Sequence, residues 1–323
     1  ATTVIPRPSE VALILALTVS GGWTVAGDGS QATPAPQATF KASVEVVTVV
    51  ASVRDDNGRV VRDLEKSDFE IIDSGVRTEI RDFYVGDSPI SLAMLLDISG
   101  SMSVGGNMDR ARHAMEVAMT NLRARSDEAA LYTFDSSLQE VVPFTHDLNR
   151  IRRVSLQGKP WGVTSLYDAV AQAARTVGER AYRHRALFVI SDGVDTNSKL
   201  SAPQVSGIAS SIQVPVYLLT VLNPVDHPGG EFETLQTSGK AADTASLADL
   251  ARWTGGDIRY ASVPAHTSEA VRDLFEELRY QYLLTFEPGR RPGWHPLEIR
   301  TRKKSLIVHA RSGYLSGHSR VGS

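Results

Sequence analysis

Asp97-Ile-Ser99-Gly-Ser101 follows directly on the apolar run Ile90-Ser-Leu-Ala-Met-Leu-Leu96. The apolar run reads as a strand buried on both faces of a sheet. Where it runs out into a turn, the chain presents one carboxylate and two hydroxyls at alternate positions. Three hard oxygen ligands converging on one turn suit a small divalent cation such as Mg²⁺, which prefers oxygen and keeps several waters. Asp and Ser also cap helices. The pentapeptide by itself supports both readings equally.

Outward from this junction the chain alternates between strand and helix. Residues 108–123 carry Ala111, Met115, Ala118, Met119 and Leu122 at helical spacing. Residues 129–134 read as a strand, with 138–142 as its hairpin partner, and 165–178 as a helix with a small-residue face. Residues 186–190 are a second continuous apolar strand, followed by a helix over 204–212 and a strand over 214–221. A helix over 246–253, a strand over 258–260 and an amphipathic helix over 268–281 complete the series. This order predicts an α/β fold with a doubly wound, mostly parallel sheet over residues 88–281.

The flanks have a different character. Residues 40–87 read as short strands at 40–54, 59–61, 69–72 and 79–83, with turns at Asp55-Asp-Asn57-Gly58 and Asp73-Ser-Gly75. Residues 282–315 add strands at 282–286, 297–300 and 306–309. Neither set makes a robust sheet alone. Together they are expected to form a smaller β-sandwich-like module from the two ends of the chain. Residues 223–243 read as a long polar insertion and 316–323 as a tail.

Composition narrows the function. The 323 residues are 42% hydrophobic and 22% charged, with a formal net charge of -3 and no dense Lys/Arg tract. That balance argues against nucleic-acid binding. The absence of cysteine removes disulfides, thiolate metal sites and cysteine nucleophiles. Arg7 followed by the apolar run 11–19 and small residues predicts a signal peptide over 1–26, with a Gly/Pro/Ser-containing linker over 27–39. The expected location is extracytoplasmic, released or tethered by residues 11–19, with no membrane span in the mature chain.

In a doubly wound sheet, ligands bind beyond the carboxyl ends of the strands, where strand order reverses. Three polar loops belong at that edge: 97–101, 162–168 and 191–193. They offer Asp97, Ser99, Ser101, Thr164 and Asp192. In this order and on this alternation, the residues resemble a von Willebrand factor type A domain with a complete metal-ion-dependent adhesion site. The family pattern is Asp-x-Ser-x-Ser, then a Thr before a helix, then an Asp ending a later strand, and all five positions are matched. Flanking motifs are similar to a bacterial group related to that family: Asp68-Phe69, Asp73-x-Gly75, Thr254-Gly255-Gly256, and Ala310-Arg311-x-Gly313-Tyr314.

The resemblance implies hydroxyl ligands from Ser99, Ser101 and Thr164, with Asp97 and Asp192 acting directly or through water. It implies Mg²⁺, with Mn²⁺ as a substitute, and a protein partner that supplies an Asp or Glu carboxylate. Trp161 and Asp195 are candidates for the rim against that partner. Two rival classes are an assembly module with incidental metal and a metal-dependent hydrolase. No Gly-x-Ser-x-Gly elbow, phosphate-binding loop or dinucleotide fingerprint occurs in the sequence.

Overall fold

Residues 90–97 form a strand because six of their eight side chains are apolar, and all eight are buried. The computed structural model describes residues 46–154, 159–222 and 241–317, with side chains of the helix beginning at Ala241 described from Leu247 onward. The expected signal peptide and linker, residues 223–240 of the insertion and most of the tail lie outside the described residues. All the described residues belong to one compact unit.

The strands are β1 (Val47–Arg54), β2 (Phe69–Asp73), β3 (Val76–Thr78), β4 (Phe83–Asp87), β5 (Ile90–Asp97), β6 (Glu128–Phe134), β7 (Leu138–Thr145), β8 (His184–Ser191), β9 (Val216–Val221), β10 (Ile258–Ala261), β11 (Tyr280–Phe286), β12 (Gly293–Thr301), β13 (Ile307–Ala310) and β14 (Gly313–Ser316). The helices are α1 (Asn107–Asn121), α2 (Leu148–Arg152), α3 (Leu166–Gly178), α4 (Ala202–Ser211), α5 (Ala241–Thr254) and α6 (Pro264–Arg279).

The central sheet has the order β10-β9-β8-β5-β6-β7. Every neighbouring pair is parallel except β6 and β7, an antiparallel hairpin with a bulge near Leu131. One face packs Leu92, Met94 and Leu96 of β5 against α1 and α6, through Ala111, Met115, Leu274 and Phe275. The other face packs Ala93 and Leu95 against α3, α4 and α5, through Val170, Ala174, Val205 and Leu250. Chain order runs from β5 to β6 on one side and continues through β8, β9 and β10 on the other. The reversal therefore lies between β5 and β8, the strands that end in Asp97 and Ser191.

The two ends of the chain pair with each other. One four-stranded antiparallel sheet has the order β13-β1-β11-β4, the other β14-β12-β2-β3. Val49, Ala51, Phe69, Ile71, Tyr282, Leu284, Phe286 and Tyr314 share one buried cluster. Some details differ from the sequence expectation. The return strand at 59–61 is only an isolated bridge between Arg54 and Val60. Residues 79–82 are not a strand, because the chain crosses there from one sheet to the other; Arg81 N and Asp82 N donate to Thr285 O and Thr285 Oγ1. The helix predicted over 246–253 starts at Ala241, inside the segment read as a loop.

Two of the flanking motifs, Thr254-Gly255-Gly256 and Ala310-Arg311, meet at one seam. Arg311 donates to Ser210 O on α4 and to Thr48 O on β1, both at 2.6 Å. Ser312 N donates to Trp253 O, and Thr254 Oγ1 accepts from Val216 N on β9. A Cβ on Gly256 would stand 2.1 Å from Val216 O, inside its van der Waals surface. Gly256→Ala should therefore destabilise the fold by about 3 kcal/mol. Gly207→Ala, on α4 with open space around it, should stabilise by about 0.5 to 1 kcal/mol. Urea denaturation of the two variants checks the pair; equal effects would contradict the seam.

A buried charge cluster joins the same layers. Glu277 on α6 accepts from Arg54 Nε at 2.7 Å and Ser52 Oγ at 2.8 Å, both on β1. His309 Nδ1 on β13 lies 3.2 Å from Glu277 Oε1. Burial lowers the His309 pKa, but the Glu277 hydrogen bond and the Glu277 and Asp257 charges outweigh it and leave the pKa raised. A group with a raised folded-state pKa contributes fully below its unfolded value, about 6.5, and loses that contribution as pH rises through the folded value. The stability gap between wild type and His309→Gln should thus be widest near pH 6 and narrow toward pH 9. A pH-independent gap would show that His309 is not charged in the fold.

Candidate functional site

The three loops converge at the reversal between β5 and β8 and are locked by hydrogen bonds. Asp97, fully buried at the end of β5, accepts from Ser99 N at 2.8 Å through Oδ1 and from Ser191 Oγ at 2.6 Å through Oδ2. The first bond closes an Asx turn, the local conformation an Asp two residues ahead favours. Ser99 precedes a short 3-10 helix, Gly100–Ser103, and its hydroxyl lies 3.3 Å from that of Ser101. Two left-handed residues, Gly105 and Gly106, then turn the chain into α1.

The second loop reaches the first through backbone. Gly100 N donates to Gly162 O at 3.1 Å, and Trp161 N donates to Ile98 O at 3.0 Å. Gly162 has φ +92, a conformation that L side chains avoid, so glycine sets this approach. Thr164 is buried; its amide donates to Thr196 Oγ1, and its carbonyl accepts from Thr196 N and Asn197 N, all at 2.9 Å. These bonds tie the second loop to the third through backbone groups. The third loop begins where β8 ends: Ser191 bonds Asp97, and Asp192 Oδ1 accepts from Val194 N at 3.3 Å. Gly193 follows at φ +83, where a Cβ would crowd Thr220 and Leu247 at 3.2 and 3.3 Å.

Burial raises the Asp97 carboxyl to about 6 despite the Ser191 and Ser99 hydrogen bonds, and the nearby Asp192 charge adds to the rise. Among the described residues no lysine or arginine pairs with Asp97 or Asp192. Two carboxylates and three hydroxyls at one edge, without a neutralising side chain, form a donor set that fits a hard divalent cation. Asp195 is engaged locally: its Oδ1 accepts from Leu166 N at the start of α3 and from Ser198 Oγ. Trp161 projects into solvent with 65% of its surface exposed, and Val104 and Val163 on the same two loops are 58% and 45% exposed.

Two further clusters were not read from the sequence, because their members lie far apart in the chain. Asp257, Glu277 and His309 hold ligand-type atoms within 4.8 Å of one another. Arg54 contacts Glu277, and Arg259 Nη2 lies 2.7 Å from Asp257. Each acid therefore faces a guanidinium group, though burial outweighs Arg259 and leaves the Asp257 pKa raised. Ser74, His295 and Asp73 also meet, with Ser74 Oγ 3.3 Å from His295 Nδ1. The imidazole faces Asp73 Oδ1 at 3.0 Å and the Arg291 carbonyl at 2.6 Å. The Arg291 carbonyl, with Asp73, raises its pKa despite burial. With both ring nitrogens facing acceptors, neither is set to take a proton from Ser74.

The family model described as the von Willebrand factor type A domain matches residues 92–194. A conserved hypothetical protein, BatB from Bacteroides thetaiotaomicron, is 18% identical with a TM-score of 0.44, covering 58% of this chain and 98% of that one. An aerotolerance-related membrane protein from Bacteroides fragilis is 19% identical with a TM-score of 0.43, over the same shares of the two chains. A von Willebrand factor type A protein from Catenulispora acidiphila is 12% identical with a TM-score of 0.42, covering 85% of this chain and 76% of that one. The search of curated proteins finds no match. That family match is confined to residues 92–194, about a third of the 323-residue chain.

Proposed function

We propose that the chain binds a partner protein through a Mg²⁺ ion held by Ser99, Ser101 and Thr164, with Asp97 and Asp192 bound directly or through water. Mn²⁺ would serve in the same site. The bound ion supplies an electrophilic coordination position for a carboxylate of the partner. The chain's own residues fix the site: the Asx turn aims Asp97, the Gly100–Gly162 bond brings the first two loops together, and the Thr164 backbone bonds tie in the third. The observation that carries the reading is the pair of acids at the sheet's reversal point with no cationic partner among the described residues. With only two formal negative charges, the set leaves a divalent ion short of anionic ligands.

Thr164→Ala is the sharpest test, because the loop is held through Thr164's backbone and the substitution removes only the hydroxyl and methyl. Calorimetric titration with Mg²⁺ or Mn²⁺ should show binding in the wild type and at least about tenfold weaker binding in the variant. Mg²⁺ should raise the melting temperature of the wild type more than that of the variant, by linkage. Titrations that are identical in the two proteins would remove Thr164 from the site. Binding of Mg²⁺ with no dependent partner would favour an assembly module instead.

The two flanking sheets, with their common cluster, are proposed to act as one sandwich-like module that depends on both ends of the chain. A chain stopped at residue 281 loses most of β11, the partner of β1. It should be clearly less stable in urea than the full chain; equal stability would refute the shared module. The apolar run 11–19 supports an extracytoplasmic location. Among the described residues, no helix is long and apolar enough to cross a membrane.

A further inference from the structure

Asp135 stands at the same sheet edge as Asp97 and Asp192, immediately after β6, and the cation site does not use it. Its carbonyl accepts from Ser165 N at 2.7 Å, which ties it to the loop that carries Thr164. Its Oδ1 accepts from Ser136 Oγ and Ser137 N, both at 3.1 Å, closing the turn into β7. Its Oδ2 accepts no hydrogen bond among the described residues. That oxygen lies 3.9 Å from the point a Cβ on Gly162 would occupy, in the loop whose carbonyl receives the Gly100 amide. A half-buried negative charge with one uncommitted oxygen therefore sits beside the exposed Trp161 and next to the Ser99–Ser101 loop.

Charges at a binding rim select between partners more than they add affinity, because an unfavourable pairing there is penalised. A partner segment that brings a carboxylate into the cation site carries its own negative charge past Asp135. A neighbouring cation in that segment relieves the repulsion and gains an oxygen to pair with. We infer that Asp135 makes the site select acidic residues that stand beside a lysine or arginine. The inference rests on the cation-bridged reading above and names the partner's chemistry: an Asp or Glu for the ion and an adjacent basic residue for Asp135.

The test is capture of a random-peptide display library on the full chain in Mg²⁺, with elution by EDTA. Wild type should return peptides that share an acidic residue with lysine or arginine enriched within a few positions of it. In Asp135→Asn, which keeps an acceptor for Ser136 and Ser137, the acidic residue should persist while the basic enrichment falls about two- to fivefold, as for an exposed ion pair. Acid-bearing, Mg²⁺-dependent peptides from the wild type with no basic enrichment overturn the role of Asp135, whether or not the variant folds. So does enrichment that Asp135→Asn leaves unchanged. A library that yields no Mg²⁺-dependent peptide overturns the cation bridge itself.

Discussion

The burial of β5 on both faces is the constraint from which the rest follows. Its side chains fill the space between α1 and α6 on one side and α3, α4 and α5 on the other. A strand so enclosed takes polar groups readily only near its ends, where water, hydrogen bonds or other polar loops receive them. Asp97 is the first carboxylate after the apolar run, and its two oxygens are met by Ser99 N and Ser191 Oγ. β5 is also the strand from which chain order departs in both directions. The same hydrophobic constraint thus fixes the sheet and sets a carboxylate at the one edge where loops from different strands converge.

The central sheet is not tied to the flanking sheets by apolar contact alone. Glu277, fully buried on α6, holds Ser52 and Arg54 of β1 and faces His309 of β13. Buried ions are expensive to desolvate, and a half-made network would be worse than an apolar patch. Arg54 spends its other nitrogens on Gly58 O and Asp273 O, so its charge is satisfied on three sides. Arg311 makes a parallel link from the C-terminal segment to α4 and β1. These bonds specify which face of the flanking sheets meets the α/β layers, a choice that apolar packing leaves loose.

Much of this was legible in the sequence because the signals were local. Continuous apolar runs marked β5 and β8, helical spacing marked α1 and α3, and the order of Asp97, Thr164 and Asp192 marked the edge loops. What escaped was set by contacts between distant residues. Residues 79–82 carry strand-like side chains, yet Thr285 captures the Arg81 and Asp82 amides where the chain passes between sheets. Residues 59–61 look like a hairpin return but form a single bridge. β14 is short, and its side chains find their place only against β12 and the shared cluster. Gly255-Gly256 and Arg311 were visible as motifs, but their reason, one crowded seam, exists only in three dimensions.

Two of the groups of buried acids among the described residues differ in a way that bears on function. Around Glu277 and Asp257, Arg54 and Arg259 supply the opposite charge, and Ser52 and His309 also face Glu277. There the opposite charge comes from the protein's own side chains, although burial still leaves the Asp257 pKa raised. Around Asp97 and Asp192 the described residues supply hydroxyls and a glycine turn but no cation. Burial and mutual repulsion hold Asp97 toward its neutral form, a condition that a divalent ion would reverse. Evolution of a stable core alone would favour neutralising such acids or removing them. Leaving them unneutralised at the point where three loops meet, with Asp135 and the exposed Trp161 alongside, is the arrangement expected where the missing charge comes from outside the chain.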